Sequence, residues 1–290
     1  MSSQEQELGS PPGPSEIEVP IHYMVDTGET PVFHQTASAA DPVTMRGTRE
    51  ARPMTIRNAR LQPDGFSLDV EGFTFAEHVT AVADFYDDAQ LSSVYTPEIE
   101  QLIARIAGAS EVVVFDHTRR STDGAQRVKR DWRDPVPLPH SDYTDASAAQ
   151  RMRDVFGDGA DDRLTRRFAV VNVWRSMTGP IEQWPVAVCD ARTINDDRMH
   201  KIVRSAPHRT EPSFEYSRSS ETRHASYDAN HRWFYFPQMT RNETLLFKNY
   251  DTLRDGTARY ALHSAFEDPT SPSDPAPRES IESRAFLFFD

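Results

Sequence analysis

Two potential metal ligands lie two residues apart in the stretch PLPHSDYTDAS, which runs from Pro137 to Ser147. His140 can offer a neutral ring nitrogen and Asp142 a carboxylate oxygen. Because side chains at positions i and i+2 of an extended chain point to the same side, both groups can reach one ion. Two histidines and one carboxylate on one face of a ferrous ion leave other positions open for oxygen chemistry. The spacing therefore favours a metal site that needs one more histidine, with a polar loop as the simpler alternative.

The third ligand must come from a distant part of the chain, which contains ten histidines. His263 is the strongest candidate, because it ends an apolar strand in YALHSAFEDP and precedes a turn-rich segment. His231, directly before RWFYFP, and His224, which lies among Ser, Thr and Arg, are the alternatives. The other histidines have no comparable context.

A cation and a hydroxyl follow His263 in the stretch PRESIESRAFLFF. Arg278 comes 15 residues after His263, and Ser280 and Arg284 share its parity, so a strand would place all three on one face. A guanidinium binds a carboxylate through two hydrogen bonds, and a hydroxyl can add a third. We therefore expect Arg278 and Ser280 to hold the distal carboxylate of a dicarboxylic keto acid. Arg284 is an alternative for this role or for an acidic substrate, and an ion pair between Arg278 and a neighbouring glutamate is the competing interpretation.

Short strands separated by turn residues recur from residue 165 onward, which indicates an antiparallel sandwich or barrel. RFAVVNVWRSM is the clearest of these strands. Helices are expected between about residues 75 and 160, as a supporting layer. The chain is thus predicted to be mainly β, with one domain over residues 17–290. Residues 1–16, rich in Ser, Pro, Gly and Glu, are predicted to be a disordered tail.

The first half of the chain offers clear local signals. IEVPIHYMVD, residues 17–26, alternates like a strand, and RPMTIRNARLQPDGFSLDVEGF is predicted to be a pair of strands turned at PDG. A helix is expected over TPEIEQLIARIA, with Thr96 as its N-cap, Pro97 at its first position and Gly108 as its stop. EVVVFDHTRR is predicted to be a strand and ASAAQRMRDVFG a helix.

Four stretches resemble the 2-oxoglutarate-and-iron-dependent hydroxylase/desaturase family of fungal natural-product pathways, which includes gibberellin-desaturase-like and cephalosporin-methoxylase-like proteins. They are PHSDYT, VNVWRSMTGPIEQWPVAVCDART, HRWFYFPQMTRNETLLFKNYD and LHSAFEDPTSPSDPAPRESIESRAFLFF. The resemblance implies a double-stranded β-helix (jelly-roll, cupin-like) core that uses Fe(II), 2-oxoglutarate and O2. It also implies that His140, Asp142 and His263 are the iron ligands. The implied reaction is hydroxylation, desaturation or oxidative cyclisation of a small secondary metabolite, begun by hydrogen abstraction.

Two polar residues, Asn172 and Arg175, stand on the apolar strand NVWRS, a segment typical of this family. Because a buried amide or guanidinium needs a partner, both are predicted to contact co-substrate or substrate. The alternative for Arg175 is an ion pair with Glu182 or Asp190. Four further residues are weaker candidates for lining the pocket, since such side chains more often belong to a core: Tyr227, Trp233, Tyr235 and Lys248.

Composition argues against several classes of function. A net charge of −13 is unfavourable for nucleic-acid binding, which needs clustered Lys and Arg. No stretch approaches the roughly 20 apolar residues of a membrane span. The single cysteine, Cys189, cannot form an internal disulfide or a thiolate zinc cluster and is expected to be a small buried residue. With no apolar segment typical of a signal peptide, a cytoplasmic protein with a small-molecule substrate is expected, and a homodimer is left open.

Two other functions remain open on the sequence alone. The chain could be a catalytically silent cupin-like protein that binds a small molecule. It could also be a zinc-dependent hydrolase that uses the same three ligands, because a zinc site with two histidines and a carboxylate also keeps a water position. The Arg-x-Ser pair favours the oxygenase, since neither alternative requires it.

Overall fold

The computed structural model describes residues 13–34, 44–205 and 220–290. The strands are β1 (Glu16–Met24), β2 (Val32–His34), β3 (Thr44–Arg46), β4 (Arg49–Asn58), β5 (Phe73–Glu77), β6 (Glu111–Ser121), β7 (His140–Ser141), β8 (Phe168–Ser176), β9 (Val186–Cys189), β10 (Met199–Ser205), β11 (Ser220–Ala225), β12 (Trp233–Tyr235), β13 (Glu243–Asp251), β14 (Leu262–Ala265) and β15 (Glu279–Phe288). The α-helices are α1 (Asp88–Gln90), α2 (Thr96–Ala107), α3 (Gly124–Arg130), α4 (Asp145–Phe156) and α5 (Ala160–Leu164). Most of the predicted N-terminal tail, residues 1–12, lies outside the described residues.

Two sheets build a jelly roll, which confirms the predicted fold class. The larger sheet has the order β1-β4-β12-β9-β14-β7-β11-β10-β2-β3, and the smaller has the order β5-β13-β8-β15-β6. The smaller sheet is antiparallel throughout. In the larger sheet, His263 of β14 is the direct cross-strand partner of His140 of β7. Sheet register therefore brings two histidines that are distant in sequence into adjacent positions.

Strand alternation divides the side chains of the smaller sheet between two faces. Val171 and Val173 of β8 join the apolar core beneath helix α2, whose Ile99, Leu102 and Ile103 are fully buried. The intervening residues of β8 point into the jelly roll instead. Because both faces are covered, every residue of β8 is buried, and the strand reads as a nearly continuous apolar run. Helix α2 therefore forms part of the expected supporting layer on the outer face of this sheet, whereas α4 and α5 pack against Phe168 and Val170, which share the strand face of Asn172.

The prediction that the two strands on either side of PDG pair with each other is wrong. β4 pairs with β1 and β12 in the larger sheet, whereas β5 pairs with β13 in the smaller one. Asn58 ends β4 by capping a 3₁₀ turn over residues 59–61, which takes the chain from one sheet to the other. The turn residues were correctly identified, but the partners of both strands lie far away in sequence.

The predicted start of the main helix is also wrong. Tyr95, before Thr96, is already helical, and the helical path begins at α1, where the Asp87 side chain accepts a hydrogen bond from the Ala89 amide. A π-helical turn over residues 91–95 joins α1 to α2. The end of α2 is confirmed, because Gly108 adopts the left-handed conformation with φ 64° that glycine tolerates best.

Within the described ranges, no helix is long and apolar enough to cross a membrane. Cys189 is free and completely buried on β9, as expected for a small apolar residue. Lys248, a weak candidate for the pocket, is instead a buried partner of Asp251 and Asp69, with Nζ–Oδ distances of 2.8 and 2.7 Å. Trp233 and Tyr235 belong to an apolar core cluster, against which Tyr227 packs.

Candidate metal and co-substrate site

His140, Asp142 and His263 form one compact cluster, in which the ligand atoms lie within 4.8 Å of one another. Nε2 of His140 is 3.6 Å from Asp142 Oδ1, and Nε2 of His263 is 4.0 Å from the same oxygen. Bonds of about 2.1 Å at right angles would put donor atoms roughly 3 Å apart, so little adjustment is needed to hold one ion. Two imidazoles and one carboxylate also match the donor set of non-haem Fe(II) oxygenases. The residues present therefore fit such an ion.

Backbone contacts around β7 fix the first two of these side chains. Nδ1 of His140 donates to the Leu138 carbonyl at 2.6 Å, which leaves Nε2 as the unprotonated nitrogen facing Asp142. The amide of Asp142 donates to Asn249 Oδ1 at 2.8 Å, and Ser141 Oγ donates to the Asn249 carbonyl at 2.9 Å. Asn249 thus holds the turn that presents the carboxylate.

The second oxygen of Asp142 is held by two donors. Oδ2 accepts hydrogen bonds from Asn172 Nδ2 at 3.0 Å and from Arg284 Nε at 2.9 Å. Oδ1 is therefore the oxygen that faces the histidines. Burial alone would raise the pKa of Asp142, but the Arg284 guanidinium holds it well below its usual range. The carboxylate is accordingly ionised at neutral pH, as a metal ligand must be.

Both imidazoles of the cluster are neutral. Burial lowers the pKa of His140, and burial together with the neighbouring His140 lowers the pKa of His263 well below its ordinary value. A neutral imidazole keeps the lone pair that binds a metal. The cluster is also nearly dry, since all three side chains are at least nine-tenths buried.

Arg284 is surrounded by acceptors and is directed at the Asp142 side of the cluster. In addition to Asp142, it donates to Asp116 at 3.0 Å, to Thr118 Oγ1 at 3.1 Å and to Glu282 at 2.5 Å. These contacts occupy Nε and both terminal nitrogens. The geometry therefore favours a structural role beside Asp142 over the expected alternative role in binding a keto acid.

Arg278 is a buried cation that faces the interior of the jelly roll and is only 2% exposed. Its Nε donates to Ser280 Oγ at 3.2 Å, its Nη1 donates to the Trp184 carbonyl at 2.5 Å, and its guanidinium lies 5.1 Å from the Trp174 ring centroid. In the described part of the chain its hydrogen-bond acceptors include no carboxylate. Burial, reinforced by the charge of Arg120, lowers its pKa. Such an uncompensated buried cation has the properties of an anion site.

The competing interpretation of Arg278, an ion pair with a neighbouring glutamate, is not what the structure contains. Glu282 pairs with Arg284, and Glu279 accepts a hydrogen bond from the Tyr86 hydroxyl. Both glutamates are buried rather than on a solvated edge.

Arg175 does not reach the cluster, contrary to the expected contact with co-substrate or substrate. It alternates with Asn172 on β8 and so points to the opposite face of the sheet. Its guanidinium donates to the carbonyls of Arg241 at 2.7 Å and His78 at 3.0 Å, and to His78 Nδ1 at 2.6 Å. The proposed partners Glu182 and Asp190 are not among these contacts, and Asp190 pairs with Arg192 and Arg232 instead.

The two alternative histidines lie outside the ligand set. His231 packs in a separate cluster, with Nδ1 3.1 Å from the Tyr23 hydroxyl. His224 pairs with His140 across β11 and β7, and their rings stack with centroids 5.3 Å apart. His224 thus supports the ring of His140 by packing.

Sequence reasoning missed Asp116 and Asn249. Asp116 lies on β6 within EVVVFDHTRR. An acidic residue in a β-branched run could have indicated an inward-facing partner for a buried cation such as Arg284. Asn249 stands beside an irregularity in the pairing of β13 with β8, between Lys248 and Tyr250. Its role depends on that irregularity, which no local pattern indicates.

Comparison with known proteins identifies the family. The chain is 33% identical over 240 residues to the Fe(II)/2-oxoglutarate-dependent dioxygenase nvfI of Aspergillus novofumigatus, covering 80% of this chain and 81% of the relative. The chain belongs to the Fe(II)/2-oxoglutarate-dependent dioxygenases. A profile described as an oxidoreductase/YMDC permease-like domain matches residues 21–288 of this dioxygenase. The dioxygenase is also 30% identical over 246 residues to a hydroxylase/desaturase of Cercospora beticola, covering 80% of this chain and 75% of the relative.

Solved structures agree with this assignment. The iron and alpha-ketoglutarate-dependent endoperoxidase NvfI superimposes with a TM-score of 0.81 at 26% identity, covering 95% of this dioxygenase and 98% of that chain. The dioxygenase therefore requires Fe(II), 2-oxoglutarate and O2. The sequence-based predictions of the enzyme class and of its cofactors are confirmed.

Proposed function

We propose that His140, Asp142 and His263 bind the single Fe(II), and that Arg278 with Ser280 binds the distal carboxylate of 2-oxoglutarate. The observation that carries this assignment is the buried convergence of the three ligand side chains, with Nε2 of both histidines directed at one carboxylate oxygen. Their donors come from one side only, which leaves positions for a chelating keto acid and for O2. Bound Fe(II) supplies activation of O2, coupled to conversion of 2-oxoglutarate to succinate and CO2.

The orientation of Arg278 supports its proposed role. Arg278 Nε donates to Ser280 on β15, and Arg284, further along the same strand, donates to Asp142. A keto acid chelated at the cluster would direct its far carboxylate along β15 towards the Arg278 guanidinium. A carboxylate there would remove the electrostatic penalty of the buried cation.

The chain contributes orientation and exclusion of water rather than acid–base chemistry. The buried cluster keeps water from the oxidant, so that the positioned carbon of the substrate reacts instead. We propose that the target is an aliphatic carbon of a small secondary metabolite in the cytoplasm. Hydroxylation, desaturation and ring closure differ in small details of substrate placement, and NvfI, which has the same fold, is an endoperoxidase.

A direct test incubates the iron-loaded protein with 2-oxoglutarate and pooled metabolites of its source, followed by mass spectrometry and succinate assay. A gain of one oxygen in a metabolite indicates hydroxylation, and a loss of two hydrogens indicates desaturation or ring closure. Formation of succinate should depend on added Fe(II) and should be lost in His263→Ala. If the protein consumes no 2-oxoglutarate and changes no metabolite, the proposed function is wrong.

A further inference from the structure

Strand β6 forms the edge of the smaller sheet and directs alternate side chains into the jelly roll. Asp116 and Thr118 point inward, because both accept hydrogen bonds from Arg284. His117 and Arg119 point outward: His117 contacts Thr96 and Ser283, and the Arg119 guanidinium pairs with Asp88. By the same alternation, the next residue after Arg119 faces inward.

That residue is Arg120, whose cross-strand partner in β15 is Ser280. The two arginines beside Ser280 are therefore Arg278, two residues earlier in the chain and just before β15, and Arg120 on the neighbouring strand. Arg120 is half-buried, and its Nη1 donates to the Asp134 carbonyl at 2.8 Å. Within the described ranges no carboxylate pairs with it.

In the described part of the chain, neither of the two guanidinium groups beside Ser280 has a carboxylate partner. Burial and the charge of Arg120 both lower the pKa of Arg278, whereas Glu282 acts in the opposite direction. The register places Arg120 opposite Ser280, at the Arg278 end of β15 rather than beside Arg284 and Asp142. Two like charges on either side of Ser280 are unfavourable unless an anion lies between them.

We propose that Arg120 is the second carboxylate-binding residue of the pocket, and that it holds the distal carboxylate of 2-oxoglutarate jointly with Arg278. This proposal rests on the proposed function and extends it to a residue of a different strand. One carboxylate has two oxygens and about four acceptor positions, so it can accept bonds from two guanidinium groups and the Ser280 hydroxyl. The edge strand would thereby take part in selecting a dicarboxylic keto acid over a monocarboxylic one.

The test is isothermal titration calorimetry of the Fe(II)-loaded protein under anaerobic conditions. Two probes are used: 2-oxoglutarate, and 2-oxopentanoate, which has the same chelating end but no distal carboxylate. The variants are Arg120→Gln, Arg120→Lys and Arg278→Gln. Arg119→Gln is the matched control, since it removes the adjacent arginine on the opposite face of the same strand.

We expect Arg120→Gln to raise the Kd of 2-oxoglutarate about tenfold or more, as for loss of one charge-assisted contact, and to leave the Kd of 2-oxopentanoate unchanged. Arg120→Lys should show a smaller loss for 2-oxoglutarate, because it keeps the charge but not the planar fork. Arg119→Gln should bind both probes like the wild type. Thermal unfolding of each variant checks that the fold is intact.

The proposal is overturned if Arg120→Gln binds 2-oxoglutarate like the wild type, or if it weakens both probes equally. Failure of the underlying function looks different: the wild type itself would not bind 2-oxoglutarate, or Arg278→Gln would not weaken its binding. A wild type that binds, an Arg278→Gln that binds weakly and an Arg120→Gln that binds normally would reject the role of Arg120 alone.

Discussion

Arg284 Nε donates to Asp142 Oδ2 at 2.9 Å, on the carboxylate oxygen that does not face His140 and His263. Asn172 Nδ2 donates to the same oxygen at 3.0 Å. With Oδ2 occupied twice, the carboxylate has one oxygen available for a metal and a fixed orientation. Residues that orient a ligand in this way are part of a metal site even though they never touch the ion.

Replacing Arg284 with Gln is expected to weaken metal binding by about 10–100-fold, because Asp142 then loses both its orientation and the charge that keeps it ionised. Calorimetric titration with Mn(II) measures this without reference to turnover. Arg151→Gln is the control, since Arg151 lies 3.7 Å from Asp116 but does not contact Asp142. Equal Mn(II) affinities for Arg284→Gln and wild type would contradict the positioning role.

The identity of the third ligand is tested by comparing three histidine variants. His263→Ala should lose tightly bound iron, because it removes one of three donors. His231→Ala should retain iron, because its ring packs against Tyr23 away from the cluster. Iron content after anaerobic loading and desalting is the measurement. Retention of iron by His263→Ala, with loss in His224→Ala, would show that the stacked histidine is the true ligand.

Arg278→Ala is expected to raise the KM for 2-oxoglutarate far more than it changes kcat. Loss of a desolvated charge-assisted contact costs roughly 2–5 kcal/mol, which corresponds to about 30-fold or more in affinity. Arg278→Lys should recover only part of the loss, because an ammonium cannot make the planar two-bond contact. If Arg284→Ala shows this selective increase and Arg278→Ala does not, the two arginines have been assigned to the wrong partners.

A prediction about pH concerns His117, which lies outside the site between Thr96 and Ser283. Burial lowers the pKa of His117 from 6.5 to about 4. Between these values the unfolded chain takes up a proton that the folded chain does not, so stability should fall as pH falls from about 6.5 to about 4. The contribution of this residue is up to about 1.4 kcal/mol per pH unit.

Urea unfolding of the wild type and of His117→Gln at several pH values measures this contribution. The variant should show a shallower loss of unfolding free energy with acid than the wild type. His22→Gln, on the exposed face of β1, serves as the control and should keep the wild-type slope. Identical slopes for His117→Gln and wild type would contradict the prediction.

The sequence predicted the elements that carry the site better than it predicted their neighbours. The predictions based on His-x-Asp, His263 and Arg-x-Ser depend on spacing and strand parity, which are local properties of the chain. The structure brings the three candidate metal ligands together. The fold class followed from recurring short strands and from the family resemblance. Both of these signals are independent of which strands pair with each other.

What the sequence could not predict depends on long-range pairing and on the face that a residue occupies. Arg175 and Asn172 stand on one strand, and only the placement of the helical layer against Val171 and Val173 decides which of them faces inward. The pairing of β4 and β5 with strands of different sheets is likewise invisible to a local turn signal. Strand parity correctly placed Arg284 on the inward face of β15. Whether Arg284 binds a keto acid or Asp142 could not be predicted without the position of Asp116, its other partner.

The central claim is that His140, Asp142 and His263 hold the iron at which 2-oxoglutarate is oxidised. It is tested most directly by measuring succinate formed from 2-oxoglutarate and O2 by anaerobically iron-loaded wild type and Asp142→Asn. Asp142→Asn keeps the size of the side chain but removes its charge. The account predicts Fe(II)-dependent succinate formation by the wild type, and loss of both bound iron and succinate formation in the variant. Succinate formation by Asp142→Asn at the wild-type rate, with iron retained, would contradict it.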